Sequence, residues 1–155
     1  MMFECMKLNM VVKDEEFNAI YPERIGKLAN RHFTPIAIAK QAAEFLAYNP
    51  GAKILDIGSG NSAFEKFLRK KMPDISWTEI VSLDIQKFSK SNYIIGDGNI
   101  LPFKEGYFDL VISIDAMHLI KTNDFKRVLK PNGMVVFSLF YNDENYLEKK
   151  KILKS

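Results

Sequence analysis

The run Lys53-Ile54-Leu55-Asp56-Ile57 enters Gly58-Ser59-Gly60, and from Ser62 the apolar residues Ala63, Phe64, Phe67 and Leu68 return on one helical face until Pro73. A short apolar run, a glycine pair and a helical repeat read as strand, tight turn and helix. Upstream, Thr34-Pro35 opens a helix, because threonine can cap free amides and proline at the first helical position gives up no hydrogen bond. Ile38, Ala42, Phe45 and Leu46 carry that helix, and Asn49-Pro50-Gly51 ends it. Downstream, Ile80-Val81-Ser82-Leu83, Tyr93-Ile94-Ile95, Phe108 to Ile114 and Met134 to Phe140 are further strands. Their near-continuous apolar character suits a parallel sheet covered on both faces. Five parallel strands with right-handed crossovers make an α/β, doubly wound sheet, whose ligand site lies beyond the carboxyl ends of the strands.

A chain of 155 residues is expected to form one domain over 1–155, with an N-terminal helical lid over 1–49, an α/β core over 50–140 and a tail over 141–155. The composition, 47% hydrophobic and 26% charged, is that of an ordinary globular protein. No stretch reaches the roughly 20 apolar residues that cross a bilayer. The start, Met1 to Lys7, carries an early acid and no basic flank before an apolar run, so a cytoplasmic location is expected rather than secretion. Cys5 is the only cysteine and stands with only His32 and His118, which predicts neither a disulfide nor a metal site. The net charge of +3 is modest and, apart from Lys149-Lys150-Lys151, spread along the chain. With no basic stripe interleaved with aromatics, nucleic acid is not an expected partner.

At the carboxyl ends of the strands stand Asp56 with Gly58 and Gly60, then Asp84, then Asp97-Gly98, then Asp115. An aspartate at a strand end often does no more than cap the next helix. Recurrence after four successive strands points instead to a shared ligand. Gly58 to Ala63 satisfies the dinucleotide pattern G-x-G-x-x-G/A, with Asp84 at the spacing of a ribose acceptor. Asp56 argues against a pyrophosphate, because its charge repels the phosphate that such a turn places on the helix amides. It suits an adenosine that carries an amine and a sulfonium and no phosphate, a description that fits S-adenosylmethionine (SAM). A nicotinamide dehydrogenase is the alternative, and requires phosphate at the Gly58 turn.

Ile54-Leu55-Asp56-Ile57-Gly58-Ser59-Gly60 resembles the first motif of class I SAM-dependent methyltransferases. Val81-Ser82-Leu83-Asp84 resembles the family's second strand with its ribose-binding acid, and Gly96 to Phe103 its D-x-x-x-L-P-F segment. Phe108 to His118 and Arg127-Val128-Leu129-Lys130-Pro131-Asn132-Gly133 resemble its fourth strand and the turn before its fifth. The likeness runs over residues 50–140 and is greatest to the subgroup that includes the ubiquinone and menaquinone biosynthesis methyltransferases. It implies a Rossmann-like sheet of order 3-2-1-4-5, SAM as cofactor and S-adenosylhomocysteine as product. Carried over by position, Gly58 and Gly60 pass under the methionine moiety, and Asp56 helps hold its amine directly or through water. Asp84 accepts from the ribose hydroxyls with Ile85 beside it. Asp97 accepts from the adenine amine, the Gly98 amide meets a ring nitrogen, and Leu101 or Phe103 walls the adenine. Asp115 and Ala116 fall where a backbone carbonyl meets the methionine amine and where the acceptor enters.

SAM carries its methyl group already activated, so alignment and exclusion of water are the protein's main tasks. Where the acceptor must lose a proton, His118 is the expected base, near Asp115, because imidazole titrates near neutral pH; simple packing is its bland alternative. Tyr21, Arg24 and His32 belong to the lid. Ser62 stands for the third glycine of the first motif and Asn132 for the first glycine of Pro-Gly-Gly, where asparagine also accepts left-handed dihedrals. Lys121 to Gly133 leaves room for only a short crossover helix. The residues after Phe140 are too few for a final helix and β-hairpin, so the edge of strand 134–140 is expected to be covered by the tail, by a second copy in a homodimer or by a partner subunit. The expected function is methyl transfer to a small-molecule acceptor, with a non-catalytic or partner-dependent SAM-binding subunit as the alternative. DNA-adenine methylation fails, because Asp115-Ala116-Met117-His118 stands where that chemistry needs [D/N]-P-P-aromatic.

Overall fold

The computed structural model describes residues 33–75, 78–87 and 93–138, with side-chain surroundings from Ile38 onward. Tyr21, Arg24 and His32 of the expected lid lie outside the described residues, as do Cys5, Leu139, Phe140 and the tail. In chain order the elements are α1 (Phe33–Tyr48), β1 (Ile54–Ile57), α2 (Ala63–Lys71), β2 (Ile80–Asp84), β3 (Tyr93–Ile95), β4 (Phe108–Ile114), a 3-10 turn (Met117–Leu119), α3 (Asp124–Val128) and β5 (Leu129–Ser138). The strands form one sheet of order β3-β2-β1-β4-β5, every pair parallel. This is the Rossmann-like methyltransferase topology read from the sequence. Its centre is β1, where Ile54 pairs with Ile80 on one side and with Leu110 on the other.

Alternation along β1 and β4 divides the core between the two faces of the sheet. Ile54, Leu110 and Ile112 face α1 and α2, where they meet Ile38, Leu46, Phe64, Phe67 and Leu68. Leu55, Ile57 and Val111 face the other way, onto Leu101, Val128 and Leu129. The cover is therefore lopsided: two helices on one face, and on the other mainly loop segments with the five-residue α3. Parity breaks at the start of β4, where the register shifts between Phe108 and Leu110 and puts Phe108 on the same face as Val111.

Two boundaries differ from expectation. The first helix begins at Phe33, so Pro35 sits within its first turn, where the amides have no partner inside the helix. The fifth strand begins at Leu129 rather than Met134: Leu129 pairs with Phe108, Met134 pairs with Leu110, and Lys130 to Gly133 bulge out between them. Pro131 has no amide for the ladder and Asn132 takes a φ of 65°, so the turn expected before β5 is a bulge inside it. The crossover helix is short, as expected. Among the described residues no helix is long and apolar enough to cross a membrane.

Asp109 fastens three strand beginnings together. Lys130 Nζ on β5 donates to both of its oxygens at 2.8 Å, and the Lys53 amide ahead of β1 donates to Oδ2 at 2.9 Å. Burial opposes the charge on Asp109, but the Lys130 ammonium and the Lys53 amide outweigh it and hold the carboxyl below the usual carboxylate range. A carboxyl depressed in this way stabilises the fold above its unfolded pKa of about 4 and loses that contribution as pH falls through the lower folded value. Asp109→Asn is expected to cost about 1 kcal/mol at neutral pH and to flatten the acid side of the stability curve, read by urea unfolding over an acid-to-neutral series.

Candidate functional site

The chain leaves β1 into a turn whose amides are already used. Gly58 and Ser59 donate to the Leu83 carbonyl at 2.8 and 3.2 Å, Gly60 donates to Asp84 Oδ2 at 2.8 Å, and Ser62 donates to the Ser59 carbonyl at 2.9 Å. The turn is left-handed at Gly58, Gly60 and Ser62, with φ of 73°, 51° and 60°. Ser62 thus adopts the conformation a third glycine would supply, at a cost of about 1 kcal/mol, with its buried hydroxyl 3.4 Å from that of Ser82. Glycine is needed at position 58 because a Cβ there would stand 2.4 Å from the Ala116 Cβ. At Gly60 a Cβ would meet nothing within 4 Å, so the backbone there is open to a ligand.

Beside this turn, β2 ends on Asp84, which also accepts from the Gln86 amide at 3.0 Å through Oδ1. The single proton of the Tyr93 hydroxyl is directed between the carbonyls of Asp84 and Gln86. Through its own carbonyl, Asp84 receives the Gly96 amide at 3.0 Å, which brings Asp97 close by. The exposed Asp97 accepts from the backbone and side-chain nitrogens of Asn99, both at 2.8 Å on Oδ1, and these bonds hold it below the usual carboxylate range. Gly98 packs so closely that a Cβ would come within 2.8 Å of Ile57 Cγ2.

Of the two residues expected to wall the adenine, Leu101 is 3% exposed in the core, while Phe103 is half-buried and meets Phe108 edge to face at 4.9 Å. Ile85 and Ile100 are 71% and 77% exposed. The Leu101 to Phe103 segment is held from α3: Asp124 Oδ2 accepts from the Leu101 amide at 2.7 Å, while Arg127 donates to the Leu101 and Phe103 carbonyls at 2.9 and 2.7 Å. Arg127 also pairs with Asp124 at 2.6 Å, holding that carboxyl below its usual range. Sequence reasoning missed Asp124 in this role, although an acid and an arginine three apart at the start of a helix were its signal.

After β4, Asp115 takes a φ of 54° and is bonded to Ser138 at the described end of β5. The 3-10 turn then buries Met117 and exposes His118 and Leu119. Asp56 is 2% exposed within β1, two residues before Gly58. The carboxyl edge thus brings together Gly58, Gly60, Asp84, Ile85, Asp97 and Gly98, with Asp115 and His118 just beyond the end of β4, the strand next to β1.

These groups fit an adenosine without phosphates. The amides of Gly58, Ser59, Gly60 and Ser62 are taken, that of Gly60 by the Asp84 carboxylate itself, so a negative charge already stands at the turn where a pyrophosphate would approach. The open space at Gly60 and the exposed Ile85, next to Asp84, leave room and an apolar face for a purine nucleoside.

Comparison with known proteins gives the same picture. The model of a family described as methyltransferase domain matches residues 55–137. An arginine-hydroxylase of Danio rerio, NDUFAF5, mitochondrial, is 30% identical over 102 residues, 59% of this chain and 32% of that protein. A malonyl-[acyl-carrier protein] O-methyltransferase of Geobacter sulfurreducens is 28% identical over 103 residues, 57% of this chain and 39% of that protein. The chain therefore spans about a third of the length of these curated relatives. The crystal structure of a SAM-dependent methyltransferase from Aquifex aeolicus superposes with a TM-score of 0.58 at 15% identity, over 93% of this chain and 87% of the other.

Gly58→Ala is expected to destabilise the fold by about 1–3 kcal/mol, because the new methyl group meets Ala116 and the left-handed dihedral is strained. Adding Ala116→Gly should recover only the collision part, as read by denaturant unfolding. Arg127→Ala is expected to speed amide exchange at Leu101 and Phe103 by about tenfold while that of β1 stays unchanged.

Proposed function

We propose that this chain, which belongs to the methyltransferase domain family, moves the methyl group of SAM to a small-molecule acceptor. The observation that carries the reading is the Gly60–Asp84 bond at the carboxyl edge, where a carboxylate occupies the amide that a phosphate ligand would need. SAM is the cofactor, and it supplies a methyl group already activated on a sulfonium. Asp84 accepts from the ribose hydroxyls with Ile85 against the nucleoside, while Asp97 and the Gly98 amide read the adenine. Gly58 and Gly60 let the methionine part lie close to the backbone. Asp115 holds the amine end, and Asp56, buried in β1 just before the turn, helps hold it. His118, exposed just after β4, takes the proton when the acceptor is a hydroxyl or an acidic carbon. In this reading α1, packed against the sheet, belongs with residues 50–140 to the transfer core rather than to a lid.

A partner-dependent subunit is the second reading. Among the described residues β5 pairs with β4 alone, so its outer edge has main-chain groups to offer a second copy or a different subunit. The likeness to proteins named arginine-hydroxylases also supports a fold that holds the nucleoside while other surfaces choose the chemistry.

Titration calorimetry with SAM and S-adenosylhomocysteine is expected to give binding that Asp84→Ala weakens by about tenfold or more, with no heat from NAD. Binding of NAD in their place would sink the reading. Methyl-labelled SAM incubated with a deproteinised cell extract should pass its label to a low-mass product. Label that moves only when the protein fraction is restored would favour the partner-dependent form.

A further inference from the structure

We propose that Ser138 is a positioning residue that holds Asp115 in its left-handed conformation and so sets the wall facing the Gly58 turn. Asp115 carries a side chain yet has a φ of 54°, a conformation that persists only where the surroundings impose it. One serine bonds both its backbone and its side chain. The Asp115 amide donates to the Ser138 hydroxyl at 3.0 Å and to the Ser138 carbonyl at 3.2 Å, and that hydroxyl donates in turn to Asp115 Oδ1 at 2.9 Å. A single hydroxyl thus accepts from the backbone and donates to the side chain of the same residue, fixing its backbone and side-chain torsions together. Ile114 and Ser138 form the last pair of the β4–β5 ladder among the described residues, so the clamp sits at the described end of that ladder. Ser138 follows Met134 to Phe137, an apolar run whose packing gives no reason for a hydroxyl.

The clamp reaches the site through the next residue. Ala116 comes so near the first glycine of the β1 turn that a Cβ on Gly58 would lie 2.4 Å from its own. The opening between the two turns is therefore set by the path of the chain through Asp115. This inference rests on the placing of Asp115 in the SAM site.

A mutant cycle tests it, with S-adenosylhomocysteine affinity measured by calorimetry on the full chain and thermal unfolding as the check on folding. Ser138→Ala is expected to weaken binding about tenfold, and Ser138→Thr, which keeps the hydroxyl, to stay within about threefold of the wild type. In an Asp115→Gly background, where glycine reaches the left-handed region unaided, the Ser138→Ala step should change binding by less than about twofold. An equal loss in both backgrounds, or full affinity in Ser138→Ala, overturns the clamp while leaving the SAM site intact. A wild-type chain that does not bind S-adenosylhomocysteine overturns the site and the clamp together.

Discussion

The Gly60 amide and the Asp84 carboxylate meet at 2.8 Å, and much of the crevice follows from that bond. It joins the turn after β1 to the end of β2, and so decides where the two neighbouring strands stop. The same contact removes the donor that an anionic ligand would require. The Leu83 carbonyl takes two further amides of the turn, so the glycines serve less as an anion nest than as a low, smooth floor. Gly58 is low because Ala116 lies across it, and Gly60 because nothing does.

The lopsided cover of the sheet bears on how the site is held. The face under α1 and α2 is packed by side chains that leave water at about 1.5–3 kcal/mol each, among them Phe64, Phe67 and Leu68. The opposite face depends more on directed bonds. Asp124 and Arg127 stitch the Leu101 to Phe103 segment to α3, and Asn99 receives the Lys121 amide at 2.6 Å and the Thr122 hydroxyl at 2.9 Å. The loop bearing Asp97 and Gly98 is thereby fixed by polar contacts made twenty or more residues away in sequence. Rigid helices position one half of the crevice, and a hydrogen-bonded loop positions the other.

Most of the architecture was legible because apolar runs and glycine turns report local structure directly. β3 and β4 fall at their expected residues, and the order of the strands follows from the family motifs. The start of β5 was not legible, since Pro131-Asn132-Gly133 is turn chemistry whether the turn lies before a strand or inside it. The depth of Leu101 and the exposure of Ile100 beside it were not legible, because no periodicity tells which way a residue in a loop faces. The charge of Asp56 was legible but its depth was not: a strand residue at a glycine turn reads as exposed, and here the neighbouring strands bury it. Asp124 and Ser138 act on partners 23 residues distant, a relation that only the folded chain contains.

Ile85, which follows Asp84 at the end of β2, holds a large apolar face in water. A nucleoside that settled on it would release the ordered solvent there, and the heat capacity of the complex would fall below that of its parts. The enthalpy of association would then become more favourable on warming. One isoleucine would in this way give recognition of a polar, charged cofactor a calorimetric signature belonging to hydrocarbon.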